Sequence, residues 1–173
     1  MKASESFVNR RKALMLKLPD DAVAIIPSAT HRVRSNDVDY PFRQNSDFLY
    51  LKGFNESDAV LVLTGGASGQ SILFCQPSSV QTEIWIGPLM GPEQAKLILS
   101  MDVCFPFNEF NPRLVEILAG KTAIYYPFLQ TGQWEKPLFN AWRTSRGQRR
   151  EDKGLESAFI DLSPILAEMR LFK

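Results

Sequence analysis

Near the start of the chain the apolar residues Phe7, Leu14 and Leu18 fall on one helical stripe, while Arg10, Arg11, Lys12 and Lys17 point to water. The pattern predicts a helix over 6–18, with Ser6 as its cap and Pro19 and the Asp20-Asp21 pair as its stop. A short apolar run from Ala22 to Ile26, closed by Pro27, reads as a buried strand. Residues 28–45 are polar and aperiodic and read as a long loop. Three further runs, FLYL (48–51), AVLVL (59–63) and SILFC (71–75), are expected as strands, parted by the turn-forming stretches GFNES and GGASG. In FLYL and AVLVL every position is apolar or aromatic, so the expected sheet is covered on both faces, by helices. A fourth strand, Glu83 to Ile86, ends at Gly87-Pro88.

The period then changes. PEQAKLIL (92–99) reads as a helix entered through proline, followed by a strand at 103–105. PRLVEIL (112–118) repeats the device, stops at Gly120 and leads to the strand TAIYY (122–126). Helices over 134–143 and 163–172 close the chain. Strand and helix alternate, so the expected fold is a single α/β domain with at least some parallel pairing. No internal repeat recurs at a fixed period.

Charge and composition narrow the partners. The 173 residues hold 20 Lys+Arg against 19 Asp+Glu, a net +1, with 45% hydrophobic and 23% charged. That balance suits an ordinary globular domain, excludes disorder, and offers no global field to draw nucleic acid or an anionic bilayer. Cys75 and Cys104 lie in apolar surroundings without metal-binding spacing and read as buried free thiols. Basic residues interrupt the N-terminal stretch too early for a signal peptide, and no run is long enough to span a membrane. The expected location is the cytoplasm, with no membrane and no nucleic acid as partner.

Candidate chemistry is sparse. His31 is the one histidine, without a paired Cys or an HExxH spacing, and reads as a solvated loop residue. A two-metal nuclease would need converging carboxylates. Asp20, Asp21, Asp47, Glu56 and Asp58 all have plain turn, cap or hairpin tasks, and only Asp37 and Asp39 lack one. Arg143, Arg146, Arg149, Arg150 and Lys153 form a basic stretch, partly neutralised by Glu151 and Asp152, that reads as a solvated connection; a nucleic-acid-binding module would have to use it. Two features resist such readings. Trp85 lies between Ile84 and Ile86, so period two sends it away from the core. Arg43, Gln44, Asn45, Ser46 and Asp47 pack five polar residues ahead of FLYL, more than a strand entry needs.

Read together, DYPFRQNSDFLYLKGFNESDAVLVL (39–63), TEIWIG (82–87), EMRLFK (168–173) and the FxxRRxxL element of Phe7, Arg10, Arg11 and Leu14 resemble the N-terminal domain of aminopeptidase P, in the creatinase/prolidase group. The resemblance implies a ribonuclease H-like α/β fold over 1–173, a mixed sheet flanked by helices, with no cofactor or metal of its own. It implies that two manganese ions belong to a C-terminal pita-bread catalytic domain absent from this chain. The expected role is a non-catalytic domain of a Xaa-Pro aminopeptidase, with its own C-terminal catalytic domain, a homo-oligomer (dimer or tetramer) and a peptide with proline at its second position as partners. Asp37 and Trp85 are expected at the substrate entrance facing a neighbouring subunit. Arg43, Gln44, Asn45, Ser46, Asp47, Phe48, Tyr50, Gly53 and Phe54 are expected to be architectural, Asn45 to Asp47 starting a strand and Phe48 and Tyr50 packing under a helix. The rival reading is a stand-alone ribonuclease H-like metal nuclease or a nucleic-acid-binding module.

Overall fold

Period two along the central apolar runs divides the interior between two faces of one sheet in the computed structural model of the chain, which describes residues 5–31, 33–35, 38–79, 87–128, 133–147 and 157–171. Strand β1 (Ala22–Pro27) sits near the middle. It pairs antiparallel with β4 (Val60–Thr64) and parallel with β7 (Ala123–Tyr126). Outward from β4 come antiparallel β5 (Ser71–Cys75) and then parallel β6 (Val103–Pro106); outward from β7 comes parallel β8 (Ala158–Asp161). The order is β6-β5-β4-β1-β7-β8, the mixed, helix-flanked sheet that the resemblance implies.

One face carries Ala24 and Ile26 of β1, Leu61 and Leu63 of β4, and Leu73 and Cys75 of β5. Against it lie α1 (Glu5–Lys17), α2 (Ser46–Lys52), α3 (Gly91–Ile98) and α6 (Ser163–Leu171). The other face carries Val23, Ile25, Val60, Val62, Phe74 and Ile124 beneath α4 (Phe110–Leu118) and α5 (Glu135–Gly147). Both faces are covered, which is why AVLVL and SILFC show no polar alternation.

Five expectations change. FLYL is no strand but the body of α2. Asn45 caps it, its side chain accepting from the Asp47 N–H at 2.9 Å, and Gly53 ends it in the left-handed region at φ 64°. Asn45, Ser46 and Asp47 therefore start a helix, whose inner side buries Phe48, Leu51 and Lys52 at helical spacing. Within the supposed loop 28–45, β2 (Val33–Ser35) and β3 (Val38–Asp39) form a small antiparallel pair. Edge strand β8 was not foreseen. Ser6 falls inside the first turn of α1 instead of ahead of it. The expected strand 83–86 lies outside the described residues.

Arg11 is the fifth and largest change. It is only 1% exposed, where the sequence placed it in water. One guanidinium nitrogen donates to the Leu51 carbonyl at 3.2 Å, and the other to Leu99 and Ser100, both at 2.9 Å. These carbonyls end α2 and α3, where helices leave acceptors without intrahelical partners. Lys12 and Lys17 do face solvent. Cys75 is buried and Cys104 half-buried, and both are free. Among the described residues no helix is long and apolar enough to cross a membrane.

Arg11→Met should cost about 3 kcal/mol or more in denaturant unfolding, because carbonyls at the ends of two helices, those of Leu51 and Leu99 in the interior and that of Ser100 at its edge, lose a donor at once. Phe48→Ala should cost about 3–5 kcal/mol, as for a core aromatic; a loss below about 1 kcal/mol for either would contradict these placements.

Candidate functional site

The polar cluster ahead of α2 is built around Gln44, which is buried. Its Oε1 accepts from the N–H of Ala29 at 2.7 Å and of Asn45 at 2.9 Å. Its Nε2 donates to the carbonyls of Phe54 at 3.2 Å and Glu56 at 2.9 Å. One amide thus joins the segment after β1, the start of α2 and the loop beyond it, using both ends of a group that carries donors and acceptors together.

Asp47, also buried, accepts from Arg170 of α6 at 2.8 Å. The Tyr50 hydroxyl donates to the Met169 carbonyl at 2.8 Å, so α2 is bonded to α6 at two successive residues of that helix. The α1 motif meets the same helix from the other side. Arg10 stacks over the Tyr50 ring at 4.4 Å and donates to the Tyr50 carbonyl at 3.1 Å. Phe7 covers Gly53 so closely that a Cβ there would stand 2.6 Å from its ring. Gly53 is needed both for that approach and for its left-handed φ. Phe48 and Phe54 are buried, with ring centroids 6.4 Å apart. Gln44, Asn45, Asp47, Phe48, Tyr50, Gly53 and Phe54, expected around the start of a strand, stand instead in and around the helix α2.

Arg43 stands apart. It is exposed and lines an open cavity of about 470 Å³ with Tyr40, Phe42, Asn45, Ser46 and Arg170. His31 lies in solvent as expected, its ring 5.1 Å from that of Phe42. Asp37 and Trp85 lie outside the described residues, as do Arg149, Arg150 and Lys153; Arg146 packs its guanidinium 5.3 Å from the Trp142 ring on α5. Among the described residues no three His, Cys, Asp or Glu side chains gather where they could hold a metal ion. The convergence that a metal nuclease requires is not found there.

The sequence missed a polar group inside the core. Lys52, at the end of α2, is fully buried, its Nζ 4.6 Å from the Phe54 ring and without a hydrogen-bond partner. Burial holds its amine well below the ordinary lysine value. Glu56, read as a hairpin residue, instead accepts the Met90 N–H at 2.8 Å through Oε1, and burial pushes its carboxyl up. The same burial pushes Cys75 up to about 12 and Cys104 to about 11, so neither thiol is a nucleophile at neutral pH. Reading SDFLYLK as a helix would have placed Lys52 beside Phe48 on the inner face.

The family described as "Aminopeptidase P, N-terminal domain" matches residues 7–125. Xaa-Pro aminopeptidase of Escherichia coli is 34% identical over 171 residues, covering 98% of this chain and 39% of that protein. Among solved structures, a proline aminopeptidase P II from Yersinia pestis aligns at a TM-score of 0.90 with 38% identity, over 98% of this chain and 39% of that one. The low-pH form of E. coli aminopeptidase P aligns at 0.92 with 34% identity, over all of this chain and 40% of that one. The chain spans about two fifths of the length of these relatives.

Gln44→Ala should destabilise the domain by about 2–4 kcal/mol, since it orphans two N–H donors and two carbonyls. Gln44→Glu should be no milder at neutral pH, because a carboxylate cannot donate to the Phe54 and Glu56 carbonyls. Thermal unfolding checks both, and a near-neutral Gln44→Glu would refute this reading of the amide.

Proposed function

This chain belongs to the family of aminopeptidase P N-terminal domains, and on that premise we propose that it is the non-catalytic N-terminal domain of a Xaa-Pro aminopeptidase. The observation that carries the reading is the match of the full chain to two fifths of a complete enzyme. In this reading residues 1–173 form one unit, and the catalytic pita-bread domain belongs to the parent polypeptide beyond it. The two manganese ions implied for that enzyme need a set of Asp, His and Glu ligands. The described residues hold no such set, so the metal is assigned to the catalytic domain and no chemical step is derived through it.

The domain's contribution is then positional. The parent enzyme removes the residue ahead of a proline from a peptide's N-terminus in the cytoplasm, as a homo-oligomer. Asp37 and Trp85 belong to a surface facing the substrate entrance of a neighbouring subunit. A flat aromatic packs along a proline-containing peptide at small entropic cost, and a rim carboxylate orients a cationic or donor group. What supports Trp85 is the period of TEIWIG, and what supports Asp37 is a loop position without a capping task.

Two measurements test this. The purified chain should release no N-terminal residue from Xaa-Pro peptides, with or without manganese; manganese-dependent release would overturn the division of labour. Trp85→Ala and Asp37→Ala in the parent enzyme should each lower kcat/KM about tenfold, some 1.4 kcal/mol of transition-state stabilisation, or weaken assembly with the fold intact. Unchanged kinetics together with an unchanged oligomer would defeat the rim assignment.

A further inference from the structure

Two arginines line the open cavity beside the start of α2, Arg43 from the segment ahead of that helix and Arg170 from α6. Among the described residues no Asp or Glu lines it. Arg34 adds a cation close by, its guanidinium 5.9 Å from the ring of Tyr40, which is itself a wall of the cavity. Among the described side chains, a protein of net charge +1 thus sets three guanidinium groups around one concavity.

The two lining arginines are held differently. Arg170 donates to the buried Asp47 at 2.8 Å, which fixes its position and takes up one of the five N–H donors of its guanidinium. Arg43 is exposed and makes no hydrogen bond or ion pair with any described residue. Its main chain is nevertheless fixed, because the next residue, Gln44, is bonded on both sides of its amide to Ala29, Asn45, Phe54 and Glu56. Most exposed arginines are simply hydrated. This one stands on an ordered backbone at the wall of a concavity, so a ligand would not first have to order the chain.

The walls also select among anions. Tyr40 and Phe42 present rings, and Phe42 is flanked by the His31 ring at 5.1 Å. Phosphate is commonly cradled by main-chain N–H groups, but here the N–H of Asn45 is taken by Gln44 and that of Asp47 by Asn45. Recognition falls to planar guanidinium forks, which match the two oxygens of a carboxylate, and to rings, which suit an apolar group beside it.

We propose that this cavity binds a carboxylate carried by a peptide. Arg43 grips the carboxylate, Arg170 supplies a second, fixed positive charge, and Tyr40 and Phe42 pack against the residue that bears it. Its volume of about 470 Å³ suits a short stretch of peptide, not a folded partner. A peptide carries carboxylates of two kinds, at its C-terminus and on acidic side chains, and the recognising chemistry is the same for both. That the ligand is a peptide rests on the proposed function; that the site takes a carboxylate does not.

The test is an NMR titration of the 173-residue chain, following the arginine Nε–H signals and the backbone amides around Arg43. Four probes are added separately: Ala-Pro-Leu as the free acid, Ala-Pro-Leu as the C-terminal amide, Ala-Pro-Glu as the C-terminal amide, and inorganic phosphate. At least one of the two carboxylate-bearing peptides should bind saturably with shifts at Arg43 and Arg170, and whichever binds identifies the kind of carboxylate taken. The amide without a carboxylate should bind about tenfold more weakly or less. Arg43→Gln should weaken binding about tenfold or more and leave the unfolding midpoint unchanged, and Arg43→Lys should restore only part of the affinity, since an ammonium has no fork. Absence of binding by both carboxylate peptides, equal binding of the peptide that lacks one, phosphate binding as tightly as the peptides, or unchanged affinity in Arg43→Gln would each overturn the proposal. A lowered unfolding midpoint in Arg43→Gln would assign the side chain to the fold and overturn its role as the grip. None of these readouts involves peptidase activity, Asp37 or Trp85, so the site and the functional reading fail separately.

Discussion

Arg11 carries its charge into the interior and directs its donors at main-chain carbonyls ending two helices, Leu51 of α2 and Leu99 and Ser100 beside α3. Carbonyls at a helix C-terminus are both unsatisfied and partly negative, so one planar cation meets two needs there, and it needs no buried carboxylate bonded to it. The arrangement matters most for α2. Seven residues form no stable helix in isolation, and this one exists because Asn45 closes its start, Gly53 turns its end and Arg10 and Arg11 take up its Tyr50 and Leu51 carbonyls. Arg11 thus joins α1 to the ends of α2 and α3, and the three cover the face made by β1, β4 and β5 together.

The polar contacts around α2 then set what the surface presents. Gln44 fixes where the chain enters the helix, so Arg43 is left outside, beside the open cavity, while Asp47 turns inward to Arg170. Adjacent residues in one motif divide between solvent and interior according to which main-chain groups the amide of Gln44 takes up. The opposite face, under α4 and α5, is held by apolar and ring contacts such as Phe74 against Phe110 at 5.1 Å and Phe107 stacked on Phe110 at 5.4 Å.

How much of this the sequence discloses depends on the length of each signal. The runs 22–26, 59–63 and 71–75 are buried on both sides and are legible as strands, and PEQAKLIL and PRLVEIL are long enough to show a helical stripe. FLYL is four apolar residues, where periods of 2 and 3.6 cannot be told apart, and the flanking Asn45 and Gly53 were the cap signals that decide it. Arg11 occupies the same stripe as Leu14, Met15 and Leu18, but an RRK run suggests solvent, and only the tertiary fold brings carbonyls of α2 and α3 to it. β8 is short and lies at a sheet edge with partly exposed side chains, so its sequence carries little pattern. The RQNSDF cluster was recognisable as unusual, yet its bonds join residues far apart in sequence, which spacing does not encode. Asp37 and Trp85 rest on period and loop position alone.

The bonds between α2 and α6 have a mechanical meaning. The Met169 carbonyl is held by Tyr50 and the Arg170 side chain by Asp47, each at 2.8 Å, and Glu168 lies 3.7 Å from Lys17 of α1. Two successive residues of α6 are thus bonded to α2, and an exposed ion pair faces α1 beside them, so the direction of α6 follows from the helices it lies against. The start of α2, to which α6 is bonded, borders the cavity beside Arg43. α6 works as a lever arm seated in a socket, and whatever is attached to its far end inherits the orientation of that socket.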